Sequence, residues 1–335
     1  MIGLGHGPSG GHVSPRTRQA FRKLRPLLLA QLAKTADPDA TLNQFARFVE
    51  GYGLRSTLFE LLVTNPKLLE LLVKTFNASR FASDLLVRHA QLLEDVTRDE
   101  ELDRSIDMCG HLEQLRSLGK KETALDGLRA YRQAQLFRIL LRDVLGLADF
   151  TTMCREQSAL AEACLVCVND IFRGDQLTII ALGKFGGREI AYGADLDVLF
   201  VGDESRDAQK LLSVMAQPSA EGNLSRVDAR LRPEGEKGPL VCSLATYQRY
   251  YAARAHLWEL QALTRARPVT GPLQNEFMAI AQNAWHKASQ HVDLYVKIDN
   301  MLERIRRERS RGSEFLDFKT GSGGIIEAEF LVQAL

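Results

Sequence analysis

Apolar residues recur at three- and four-residue steps from Arg16 to about Phe150, in stretches such as LRPLLLAQLAK, LNQFARFVEGY, LFELLVTNPKLLELLVKTF and FASDLLVRHAQLLEDV. That period marks helices that bury one face, so this half of the chain is expected to form a helical bundle. Its breaks carry helix-end chemistry: Asp37 before Pro38, Asn65 before Pro66, and Ser79 placed to cap the run that follows. The period changes near Gln176. There QLTIIALG is a short continuous apolar run ending in glycine, and LDVLFVG, LSRVDARLR and PLVCSL follow as further strands, with the helical RDAQKLLSVMAQ between the second and third. After Ser243 the helical pattern returns, from TYQRYYAARAHLWELQALTRAR to the end. The expected fold class is α+β: a flexible terminus over 1–15, a helical bundle over 16–150, a core with a small mixed sheet over 151–272, and the start of a C-terminal helical domain over 273–335.

Composition narrows the partners. Hydrophobic residues make up 45% and charged residues 25%, the balance of an ordinary soluble protein, and no window approaches the roughly 18 uninterrupted apolar residues of a membrane span. A formal charge of +1 leaves no general field to draw in nucleic acid or anionic lipid, so neither is expected, and any phosphate-binding charge must be local. Cys109, Cys154, Cys164, Cys167 and Cys242 form no regular framework, which fits a reducing cytoplasm. Cys164 and Cys167 make a CxxC within a helical run, but a zinc site needs a second pair or histidines at ligand spacing, so core packing is expected. The opening MIGLGHGPSGGHVSP, with His6 and His12, lacks the strand-before, helix-after context of a phosphate loop.

The chemistry gathers in the strand region. In ADLDVLF, alternation puts Asp195 and Asp197 on one face and Leu196, Val198 and Phe200 on the other. Two carboxylates about 7 Å apart at Cα repel, and strands disfavour aspartate, so folding alone supplies no reason for them. A divalent cation does, because hard magnesium ions take carboxylate oxygens and keep other positions for water and phosphate, with paired ions roughly 3.5–4 Å apart. LSRVDARLRP repeats the pattern, with Asp228, Arg230 and Arg232 expected on one face and Val227, Ala229 and Leu231 on the other. Carboxylate for metal beside guanidinium for phosphate suits a triphosphate, although this strand by itself reads better as a surface salt-bridge ladder and gains its meaning only beside the acidic pair. Just upstream, GKFGGRE places Gly186 and Gly187 after a strand, where they are expected to open a short helix and let backbone N–H groups approach phosphate, with Lys184 nearby.

At these residues the chain resembles the DNA polymerase β-like nucleotidyltransferases and, within them, the bacterial glutamine synthetase adenylyltransferases (glutamate-ammonia-ligase adenylyltransferases). The resemblance is carried by ALGKFGGREIAYGADLDVLFV, RVDARLRPEGEKGPLV, WELQALTRARPV and DFKTGSGGIIEAEFLVQ, with LRAYRQAQLFRILLRDVLGLAD upstream, and it runs from about Arg16 to the last residue. It implies a polymerase β-like core that uses ATP, two Mg2+ ions on Asp195, Asp197 and Asp228, and a tyrosine hydroxyl of glutamine synthetase as acceptor. Phosphate contacts are implied for Gly186, Gly187, Arg230, Arg232 and Lys184, while Glu189 and Glu329 are equally at home as surface or supporting residues. The nitrogen signal protein PII and glutamine are implied as partner and effector.

That family usually joins two homologous halves, one removing AMP by phosphorolysis and one attaching it from ATP, and this sequence carries one such site. The helical preamble and WELQALTRARPV resemble the attaching half, whereas RVDARLRPEG and Glu327 resemble the removing half. Attachment is the expected direction. Ala194 stands where the family usually has serine, Thr320 where it usually has histidine, and the sequence stops at Leu335 within a motif that normally leads into a further bundle, so a piece of a longer enzyme is expected. Three alternatives stay open: the removing half-reaction, an RNA nucleotidyltransferase, and a non-catalytic regulatory module.

Overall fold

The structure is a computed structural model and describes residues 14–93, 100–117, 124–172, 176–219, 222–309 and 317–334. The opening stretch with His6 and His12 lies outside the described residues. The chain divides into two compact units, the first made of the described residues up to 107 with 130–157, the second of 108–129 with the described residues from 158 onward.

The first unit is helical, as its period predicts. It holds α1 (Pro15–Leu32), α2 (Pro38–Tyr52), α3 (Arg55–Thr64), α4 (Pro66–Ala78) and α5 (Arg80–Arg88). Asp37 accepts the Ala40 N–H and Ser79 accepts the Ala82 N–H, so both caps satisfy backbone donors that the first helical turn leaves unpaired. Leu24, Leu28, Phe45, Phe48, Phe59, Leu72 and Phe137 are buried in one cluster, and each such side chain contributes about 1.5–3 kcal/mol by leaving water.

This unit also buries a charge cluster. Glu156 accepts from Arg138 at 3.2 Å and from Arg142 at 3.0 Å, and all three side chains are nearly inaccessible. The spare guanidinium donors go to the carbonyls of Arg104 and Leu102, and Glu156 also accepts the Ile106 N–H. The cluster therefore fastens the 102–106 segment to α7 (Ala124–Val144) and α8 (Phe150–Ile171). Cys164 is buried further along α8, and burial pushes the half-buried Cys167 thiol up to about 11, which suits packing rather than thiolate chemistry.

The second unit adds α6 (Met108–Ser117) and, after α8, the sheet: β1 (Thr178–Ala181), α9 (Gly183–Gly186), β2 (Leu196–Val201), α10 (Arg206–Ala216), β3 (Val227–Asp228), β4 (Val241–Cys242), α11 (Leu244–Ala253), α12 (Leu257–Ala262) and β5 (Arg267–Thr270). It ends in α13 (Gln274–Ser289), α14 (Leu294–Arg309) and α15 (Ile325–Ala334). The sheet is mixed: β1 runs antiparallel to β2 and to β5, while β3 and β4 both pair parallel with β2, near its start and its end. The α+β class is thus the observed one. Ile180, Leu199, Val201, Tyr247, Tyr251 and Phe277 form the core on one side of the sheet, where the Tyr247 hydroxyl donates to the Phe200 carbonyl at 3.1 Å.

Two local expectations are corrected. The strand expected over LSRVDARLR stops at Asp228, because the Arg230 N–H turns back to Asp228 Oδ1 at 2.9 Å and the chain leaves the sheet. Conversely, β5 was read as helix: RPVT is four residues long with a proline and no alternation, and Pro268 is tolerated because β5 lies at the sheet's edge. Among the described residues no helix is long and apolar enough to cross a membrane.

The Glu156 cluster yields the first test. Replacing Glu156 with alanine removes the buried carboxylate that Arg138 and Arg142 share, a change expected to cost about 3–5 kcal/mol. Urea denaturation measures it, and a loss below about 1 kcal/mol would show that the cluster is not holding this unit together.

Candidate active site

The site is built where β1 hands over to β2. Leu182 donates its N–H to the Asp197 carbonyl at 2.8 Å, which keeps the chain beside β2 as it leaves the sheet. Gly183, at φ +52°, then opens α9, and a Cβ there would stand 2.4 Å from Asp197 Oδ2. Only glycine lets this turn lie against the carboxylate. Gly186 and Gly187, expected at the opening of this helix, lie at its close. Gly186 is buried so tightly that a Cβ would meet the Arg265 carbonyl oxygen at 2.0 Å, whereas Gly187 is exposed and faces only the Glu189 side chain.

Strand register brings the acids together. Leu196 pairs with Val227 and Asp197 with Asp228 on adjacent parallel strands, which sets the two aspartate Cα atoms roughly 4.8 Å apart. Asp195 precedes the strand, and the Leu196 N–H donates to the Arg226 carbonyl at 2.9 Å. Asp197 is the one residue of β2 that is not buried: Leu199 and Val201, on its own face, are covered as fully as Val198 and Phe200. The acidic face is therefore a single opening at the start of a strand otherwise packed on both sides.

Two of the three acids have a cation. Arg226 Nε lies 2.8 Å from Asp195 Oδ1, an ion pair without hydrogen-bond alignment. Arg230 Nε donates to both Asp228 oxygens at 2.9 and 2.8 Å, and this hydrogen bonding holds the Asp228 carboxyl below the usual carboxylate range. No ion pair is made by Asp197 among the described residues. Burial, then the neighbouring charges of Asp228 and Asp195, push its carboxyl up to about 6, against the opposing pull of Arg230 and Lys184. Among the described residues no three His, Cys, Asp or Glu side chains are grouped tightly enough to hold a metal ion.

The remaining candidates separate by what they touch. Lys184 is exposed on α9 within electrostatic reach of Asp197. Arg230 is also largely exposed, with 65% of its side chain accessible. Arg232, expected beside Arg230 on one strand face, instead donates to the carbonyls of Ala229, Glu236 and Gly238, so its fork closes the loop after β3. Glu189 and Glu329 both pair with Arg265, at 2.9 and 3.3 Å. Sequence reasoning passed over Gly183 and Arg226. Gly183 had a local signal, a glycine immediately after an apolar strand, while Arg226 had none, since its partner is fixed only by the β2–β3 register.

The family model described as "Glutamate-ammonia ligase adenylyltransferase" matches residues 69–281. Curated relatives named "Bifunctional glutamine synthetase adenylyltransferase/adenylyl-removing enzyme" include one from Ralstonia nicotianae, 31% identical over 98% of this chain and 38% of the relative. Similar proteins of that name come from Thioalkalivibrio sulfidiphilus, 30% identical over 94% of this chain and 37% of the relative, and Chromobacterium violaceum, 31% identical over 95% and 38%. The chain thus spans under two-fifths of the length of these relatives, 37–38%.

The charge imbalance at Asp197 makes a stability prediction. Its carboxyl, near 6 when folded, lies above the roughly 3.9 of an unfolded aspartate. Between those values the folded state holds the extra proton, so this group lowers stability as pH rises from about 4 to about 6 and keeps it lowered above. Asp197→Asn is therefore expected to raise stability at pH 7 by on the order of 1 kcal/mol, after discounting for solvent screening of a partly exposed group, with the gain vanishing near pH 4. Urea titrations of both proteins at the two pH values, without divalent cations, check it; a gain that is absent at pH 7, or undiminished at pH 4, contradicts the assignment.

Proposed function

The chain belongs to the glutamate-ammonia ligase adenylyltransferase family, and from that premise we propose that Asp195, Asp197 and Asp228 form a nucleotidyl-transfer site. It moves AMP from ATP to a tyrosine hydroxyl of glutamine synthetase. The observation that carries this reading is the Asp197–Asp228 pairing: two carboxylates side by side on parallel strands, one of them without a counter-ion. Packing does not call for such an arrangement; a site that receives divalent cations does. In this reading 151–272 is a polymerase β-like catalytic core, flanked by helical domains over 16–150 and 273–335, and the protein works in the cytoplasm with PII and glutamine as regulators.

The donor set fits magnesium, since all three side chains present hard oxygen ligands and Asp197 carries unneutralised charge. Asp195, Asp197 and Asp228 would hold two Mg2+ ions, which when bound supply positive charge to the phosphates and lower the pKa of the tyrosine hydroxyl. Arg226 and Arg230 occupy two of these carboxylates as they stand, so loading the site means loosening both pairs. Arg230 is then the exposed guanidinium available to a phosphate, with the exposed Lys184, within electrostatic reach of Asp197, as a second cation. In this reading Asp228 also helps to accept the phenolic proton once Arg230 no longer covers it. Gly183 lets the α9 turn close against Asp197, while the Gly187 N–H is already spent on the Gly183 carbonyl, so a phosphate contact there requires that bond to open.

The opposite direction is a second reading, favoured by the two activities in the relatives' names. Phosphate would attack adenylyl-tyrosine at the same three acids, and ADP would leave. Both readings are tested by offering this chain unmodified glutamine synthetase with magnesium and ATP, or adenylylated synthetase with magnesium and phosphate, and weighing the intact synthetase subunit. Gain of one AMP in the first arm supports attachment; loss in the second supports removal. Asp228→Asn is expected to slow whichever reaction occurs by roughly 100-fold or more, as loss of several kcal/mol of charge stabilisation requires. Unchanged transfer by that variant would sink the site assignment, and labelling of RNA in place of the synthetase would move the chain to another substrate class.

A further inference from the structure

We propose that Arg267 is a positioning residue for the α9 turn, holding the nucleotide-facing backbone in register with Asp197; the inference rests on the AMP-transfer reading of the site. β5 pairs Arg267 with Ala181, the last residue of β1, so the arginine stands where the chain turns into α9. Its fork is fully directed. Nε donates to the Gly186 carbonyl at 3.1 Å and one terminal nitrogen to the Phe185 carbonyl at 3.3 Å. The other terminal nitrogen donates to Glu162 Oε1 at 2.7 Å, and the guanidinium carbon lies 5.6 Å from the centre of the Phe185 ring.

These contacts act at the end of a four-residue helix. The N–H groups of Gly187, Glu189 and Arg188 meet the carbonyls of Gly183, Lys184 and Phe185, and Arg267 adds a second donor to Phe185 and closes the end of the turn at the Gly186 carbonyl. Gly186 is simultaneously pressed against the Arg265 carbonyl. The far end of the turn is thus gripped by the residues around the start of β5, while its near end, Gly183, rests on the Asp197 carboxylate. Arg267 does not serve as a phosphate ligand in this arrangement. Its charge is met by Glu162, whose side chain is only 5% exposed, and its own side chain is 19% exposed, against 65% for Arg230. Three planar donors at fixed angles are needed, and lysine cannot reproduce them.

The test is Arg267→Lys, which keeps a cation for Glu162 but loses the fork on the two carbonyls. Hydrogen exchange of the amides in 182–190 is expected to accelerate about tenfold, the equivalent of one lost hydrogen bond. The KM for ATP is expected to rise about tenfold on the same basis, with kcat within about threefold and the melting temperature close to the parent's. Unchanged exchange in 182–190, or a KM that does not move, overturns the proposal. A fall in kcat and melting temperature without a KM change also overturns it, because that pattern marks general support of the fold. Should Arg267→Lys fail to fold, the double variant Arg267→Met with Glu162→Leu removes the buried pair without orphaning a charge and is read in the same way. If the parent chain transfers no AMP, the functional reading falls, while the exchange experiment still decides whether Arg267 holds the turn.

Discussion

Asp197 and Asp228 face one another across two parallel strands, and holding like charges at that spacing costs free energy that the surrounding structure must supply. The supply is visible. Every other residue of β2 is buried, so the strand cannot shift without exposing both faces of the sheet. The β3 partner is only two residues long, yet its end is fixed by the Arg230 turn and by the Arg232 clamp on the following loop. α9 lies against Asp197 through Gly183, where any side chain would strike the carboxylate. Much of the second unit near the sheet acts to keep one unfavourable pair in place.

Arginine does two kinds of work in this chain, and burial separates them. Arg138 and Arg142 in the first unit, and Arg232 and Arg267 in the second, direct their forks at main-chain carbonyls and, except for Arg232, at a buried glutamate. Such groups organise backbone. Arg226 and Arg230 instead sit largely in solvent on an acid they share with nothing else in the ion-pair network. The Arg226–Asp195 pair, exposed on both sides, contributes little to stability, whereas Asp228 is mostly covered and held by several bonds from Arg230, so freeing it costs more. The same residue type thus builds the site in one setting and guards its entrance in the other.

Local features of the sequence were legible because their causes are local. The helical period, the Asp37 and Ser79 caps and the proline-led start of α4 depend on neighbours within one turn. The aspartates stood out because strands disfavour them, and the β2 and β3 registers put Asp197 beside Asp228. What escaped depends on distance along the chain. Arg267 meets Glu162 across 105 residues, and nothing near either one announces the other. β5 was hidden by a proline that only an edge position permits, and GKFGG does not say which glycine needs a positive φ. Arg232 shows the converse error: alternation carries it onto a strand face although the strand ends four residues earlier, at Asp228.

Direction of reaction follows from a different part of the site than the acids. In the proposed reading, attachment forms and phosphorolytic removal breaks the bond between the tyrosine oxygen and the α-phosphorus, so the groups around that atom meet the same transferred AMP in either case. What differs is the leaving or attacking group: pyrophosphate when AMP is attached from ATP, and a single phosphate when AMP is removed as ADP. In that reading selectivity would fall to the exposed cations Arg230 and Lys184 and to the room that the α9 turn leaves beyond the acids. The turn is set by Gly183 at one end and by the Arg267 grip at the other. A rigid turn fixes the number of phosphate oxygens that can be met at once, so the backbone around α9, more than the aspartates, is where two related sites of opposite direction would diverge.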